Sequence, residues 1–211
     1  MAQRPLLPLA DYQRIYQVIY SVLEASGLAK TSRACLFFAS AGVLILRDHY
    51  HLEAMISVGS MALMVHEPTA TVLIYGREQD GRWQYDEDGF HAWVECDGWL
   101  IDFMAPIMGQ AFKEDGAAVP IPRRMLQKPL ADRKPHPKAI QHEGEFFYES
   151  DSSVAEALLD DQSILFDDLV KICLQWFRRP PKALPPIAMG GTGISDPQPI
   201  VLRAPSITGV W

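Results

Sequence analysis

Along the first half of the chain the spacing of apolar residues changes once, from helical to strand-like. Over residues 10–26, Tyr12, Ile15, Tyr16, Ile19, Tyr20 and Leu23 recur at three- and four-residue steps, which predicts an amphipathic helix. Gly27 follows and stops it. A second helix is expected from Thr31-Ser32, both good N-cap residues, to about Asp48. Residues 34–46 are apolar almost all round, the pattern of a helix buried at the centre of a domain and too short to cross a bilayer.

Residues 53–65 and 70–76, rich in Val, Ile, Met and Thr and separated at Pro68, read as strands. A polar turn region runs from Glu78 to Gly89. Two short strands are then expected at 90–96 and 99–103, joined at Asp97-Gly98, a favoured pair for a two-residue hairpin. Residues 122–138 carry six Lys or Arg against one Asp, with four prolines, and read as a short helix and loop. A strand at 143–148 and helices at 153–161 and 164–179 complete a domain spanning 1–179. Residues 180–211, rich in Pro and Gly, form an extended tail packed on it. Helices first, then a run of antiparallel strands, says α+β.

Composition narrows the function. With 48% apolar and 21% charged residues the chain can bury a full core. A net charge of −7 argues against nucleic acid and anionic membrane as partners. The first ten residues lack the long apolar stretch of a signal peptide. Three widely spaced cysteines make no disulfide framework, so a reducing, cytoplasmic setting is expected. Oligomeric state is not legible.

The chemistry concentrates in His91–Phe103. Alternation puts His91, Trp93 and Glu95 on one face of a strand. With the turn at Asp97-Gly98, Cys96 sits opposite Trp99 and Trp93 opposite Asp102, so Asp102 shares the face of His91 one diagonal step away. That is reach enough for an imidazole and a carboxylate, and a one-residue slip would abolish it. A carboxylate on one ring nitrogen fixes the tautomer and leaves the other nitrogen to take a proton. Cys35, in the first turn of the central helix, is the matching nucleophile. Free N–H groups and the helix dipole there favour a thiolate and can stabilise an oxyanion. Asp102, at a strand end, is expected to add little to the core, so its loss would slow the thiol and leave the fold standing.

The string His91-x-Trp93-x-Glu95-x-x-Gly98-Trp99-x-x-Asp102 resembles the His-and-Asp hairpin of the transglutaminase-like superfamily. That group includes bacterial transglutaminase-like proteases and, more distantly, arylamine N-acetyltransferases. The likeness covers roughly residues 30–105. It implies a papain-like fold, with a central N-terminal helix packed on an antiparallel sheet, and a Cys35-His91-Asp102 triad. The implied activity is acyl hydrolysis or transfer on a peptide, amide or thioester, with no cofactor and no metal. Trp93 and Trp99 are candidates to line the acyl site. The Cys35–His91 interval is long for the superfamily, consistent with extra residues at 78–89. Arg33-Ala34-Cys35 lacks the Arg-Gly-Gly-x-Cys motif of the N-acetyltransferases, which disfavours acetyl-CoA chemistry. The rival class is a non-catalytic binding module on the same fold.

Other features carry less. His49, His51 and His66-Glu67 have a spacing common by chance for zinc. The basic run Arg123–Lys138 suits a solvated loop better than an anion site. Met189–Gly193 looks like a phosphate loop but lacks the following Lys and helix.

Overall fold

In the computed structural model, which describes residues 4–85, 89–116, 118–160, 162–190 and 196–211, the chain opens with α1 (Leu9–Ser26). Its buried stripe includes Tyr12, Ile15, Tyr16 and Ile19, and it ends on left-handed Gly27. Thr31–Arg33 then form a single 3-10 turn in place of the expected helix start. Ala34 leaves the helical region (φ −109°, ψ 41°), and α2 (Cys35–Tyr50) begins one residue later. Cys35 is therefore the first residue of α2, and no side chain caps the helix at Ala34.

Nearly every residue of the first three turns of α2 is buried, as its apolar composition requires. A Cβ on Gly42 would come within 2.5 Å of the Phe103 ring, so only glycine lets α2 approach this closely. The sheet on which it rests is ordered β11-β7-β6-β5-β1-β2, with β8 also paired to β1. The strands are β1 (Ala54–His66), β2 (Thr71–Tyr75), β5 (His91–Cys96), β6 (Trp99–Asp102), β7 (Arg124–Pro129), β8 (Phe146–Ser150) and β11 (Gly209–Val210). All pairings in it are antiparallel except the short β11–β7 contact.

The registers around β1 place the site. Gly59 pairs with both His91 of β5 and Ser150 of β8, while Met61 pairs with both Tyr75 of β2 and Tyr148 of β8. Hence β8 lies along one side of β1, and β5 and β2 lie end to end along the other. Between them the chain leaves the sheet as a separate hairpin, β3 (Arg77–Gln79) and β4 (Arg82–Gln84), within the segment read from sequence as a turn. Residues 86–88 of that turn region lie outside the described residues.

Two expectations for the second half change. Residues 124–129 form β7, not helix and loop: Met125, Leu126 and Gln127 are buried between β6 and β11, and the flanking Arg124 and Lys128 mask a strand in the sequence. Gln127 bonds Leu7 in both directions, through N–H to Oε1 (2.8 Å) and Nε2 to carbonyl (3.0 Å). The tail holds strands of its own. β9 (Ile187–Met189) and β10 (Gln198–Ile200) pair with each other, and β11 extends the main sheet. Gly191–Gly193, the end of the glycine-rich run, lie outside the described residues. Helices α3 (Met108–Glu114), α4 (Ser152–Asp160) and α5 (Ile164–Trp176) fill in around this frame, with α5 packed on α1 and α2. No helix among the described residues is long and apolar enough to cross a membrane.

Candidate functional site

The β5–β6 hairpin closes at Asp97-Gly98, both left-handed (φ 49° and 77°), as a tight two-residue turn of this twist demands. Cys96 faces Trp99, Glu95 faces Leu100 and Val94 faces Ile101. In this register Asp102 reaches His91: its Oδ2 lies 2.7 Å from His91 Nε2. The other carboxylate oxygen accepts the Met104 N–H at 2.8 Å. The Tyr12 hydroxyl donates to the Asp102 backbone carbonyl, so the carboxylate and its strand end are both held. His91 is 0% and Asp102 1% exposed.

The His91 ring is clamped by stacking as well. Tyr75, arriving at the end of β2, lies over it with centroids 4.2 Å apart and planes 18° apart, and Trp93 stacks more loosely at 6.4 Å. Asp102 and Cys35 are the two side chains that bear on the charge of the ring. Among the described residues no group meets hydrogen-bond geometry at His91 Nδ1. Burial alone disfavours an imidazolium. Asp102 first and Cys35 second outweigh it and raise the His91 pKa to about 10. Burial pushes the Cys96 thiol up to about 11 and the Cys173 thiol higher still.

Cys35, 7% exposed, is where two clefts meet. One, of about 490 Å³, is lined by Ser32, Arg33, Tyr75, Met104, Phe112 and Asp115 among others. The second, of about 320 Å³, runs between the start of α2 and the start of α5. Phe90 and Arg33 border both.

Trp93 and Trp99, expected to line the acyl site, border neither cleft. Trp93 is 1% exposed, packs against Tyr148 and donates from Nε1 to Glu95 at 3.1 Å; Trp99 is buried in the core. Tyr75, Phe90, Arg33 and Met104 border the clefts at Cys35 instead. Tyr75 escapes sequence reading because it meets His91 only through the pairing of β2 and β5 along one side of β1. Phe90 carries the only local signal, adjacency to His91. His49 bonds the Leu174 carbonyl and packs on Phe177, and His66 bonds Thr69. Among the described residues no cluster of three or more His, Cys, Asp or Glu is arranged to hold a metal ion.

No curated protein matches the chain. A solved structure described as "The crystal structure of genomics APC5867" is 31% identical in sequence and superposes with a TM-score of 0.83, covering 99% of this chain and 98% of that one. The model of a family described as protein of unknown function DUF2026 matches residues 8–211, and the chain belongs to that family.

Proposed function

We propose that the chain is a cysteine hydrolase or acyltransferase of transglutaminase-like, papain-like type, acting in a reducing cytoplasm on a peptide, amide or thioester carbonyl. The observation that carries this reading is the buried 2.7 Å contact between His91 Nε2 and Asp102 Oδ2, with Nδ1 bonded to no described residue and Cys35 bearing on the same ring. Cys35 Sγ attacks the carbonyl carbon and forms a C–S bond. The first N–H groups of α2, which no side chain caps, suit the oxyanion. His91 passes its Nδ1 proton to the leaving group as the old acyl bond breaks, and Asp102 keeps the ring oriented. Water or an acceptor nucleophile, deprotonated by His91, then releases the acyl group from sulfur. Three buried free thiols fit the compartment.

The test is site-resolved alkylation by iodoacetamide at pH 6 and 7.5, read by peptide mass spectrometry. Cys35 is expected to react at least about tenfold faster than Cys96 or Cys173, and to keep reacting at pH 6 because a charged imidazole stands beside it. His91→Ala removes the advantage. Should Cys35 react no faster at pH 6 than a free model thiol, the non-catalytic binding module becomes the better reading.

A further inference from the structure

The geometry points to the cleft between α2 and α5 as an acyl-group site that selects substrates bearing a short apolar acyl chain, an inference that rests on Cys35 being the nucleophile. Any acyl group bound to Cys35 Sγ must lie in one of the two clefts that meet there. The larger has Ser32, Arg33, Asp115 and the end of β2 in its wall, and Arg33 and Asp115 form an ion pair at its edge. The smaller is walled by Leu23, Phe37, Phe90, Leu165 and Leu169; among the described residues, Gln162, Ser163 and Arg33 are the polar side chains that line it besides the Cys35 thiol.

Its construction favours an apolar guest of limited size. Phe37 and Phe166 meet edge to face at 5.5 Å and 86°, fixing one wall, and Leu169 is 5% exposed at its base. Leu28 and Leu165, 58% and 49% exposed, stand at the open rim with no apolar cover of their own. A cavity of about 320 Å³ lies at the small end of the ~300–1,000 Å³ typical of ligand sites, which suits a chain of a few methylenes. Each methylene buried there favours binding by up to about fourfold.

Two probes of the same warhead test this. The rates of Cys35 alkylation by iodoacetamide and by N-hexyl iodoacetamide are compared in the full chain and in Leu165→Glu, a rim change at an exposed position. In the unaltered protein the hexyl reagent is expected to gain at least about tenfold at Cys35, relative to a model thiol. In Leu165→Glu that gain, taken as the ratio of the two reagents' rates on the same variant, falls to about one. Equilibrium dialysis of hexanamide, which needs no reactive thiol, should show saturable binding that Leu165→Glu abolishes. A fast Cys35 with no hexyl preference overturns the acyl site and leaves the proposed chemistry intact. A slow Cys35 with normal hexanamide binding sinks the chemistry and keeps an apolar pocket without an acyl role, which also overturns the inference.

Discussion

The hairpin that carries His91 and Asp102 and the clefts in front of Cys35 are built on opposite principles. In the His91–Asp102 pair every side-chain polar atom but one is committed: Nε2 to Oδ2, Oδ1 to the Met104 N–H, with Tyr75 and Trp93 on the imidazole. The exception is His91 Nδ1. In the clefts the charged side chains are half exposed and the walls come from five separate elements. Burial makes the first region rigid and costly to alter, whereas exposure makes the second cheap to alter and therefore free to set selectivity. A polar pair in a low-dielectric interior gains from its partner and loses heavily without it.

The largest effect expected from that contrast is at Asp102. Read from the sequence as a strand-end group, it is dispensable to the core; at 1% exposure it is not. Asp102→Ala strands a buried imidazole beside an unpaired Met104 N–H, and a loss of about 3–5 kcal/mol is expected by urea unfolding. Asp102→Asn keeps an acceptor for the Met104 N–H, loses less stability, and still slows alkylation at Cys35. A loss below about 1 kcal/mol for the alanine variant would erase the distinction between hairpin and cleft.

A smaller, pH-dependent effect sharpens the same point. The folded His91 value of about 10 lies above the ~6.5 of an unfolded histidine, so the charged ring stabilises the fold fully below about pH 6.5. That contribution fades as pH climbs towards and through about 10. Wild type and His91→Gln, compared by urea midpoint at pH 6, 8 and 10, should therefore draw together as pH rises. Divergence with rising pH would mean that the buried ring is neutral.

How much of this was legible in the sequence follows the range of the interactions. The β5–β6 register needs only alternation and the Asp97-Gly98 turn, both local, so His91 and Asp102 fall on one face from sequence alone. Helix α1 and its Gly27 stop are equally local. The start of α2 moved because the Thr31–Arg33 turn closes on Lys30 instead of opening a helix, and Arg33 reaches Asp115 near the end of α3. β7 was hidden because its partners, β6 and the chain's last residues, supply the burial that its own charged composition denies. Tyr75 and the α5 wall of the smaller cleft depend on pairings and packing across 16 to more than 100 residues, which no periodicity encodes.

The smallest expected effect belongs to the exposed side of the contrast. Arg33 stands two residues before Cys35, borders both clefts and pairs with Asp115, the two side chains being 47% and 55% exposed. Water screens such a pair, so Arg33→Ala should change stability by less than about 1 kcal/mol. Its charge still bears on what approaches the sulfur, since screening at physiological salt acts over ~8 Å. The readout is the ratio of Cys35 alkylation rates with anionic iodoacetate and neutral iodoacetamide, two reagents of nearly equal size. Arg33→Ala should lower the ratio and Asp115→Asn raise it, each by about two- to fivefold, and both shifts should shrink at 1 M salt. A ratio that neither variant moves would mean that the pair cancels itself at the sulfur, and the clefts would then discriminate by shape and apolar surface alone.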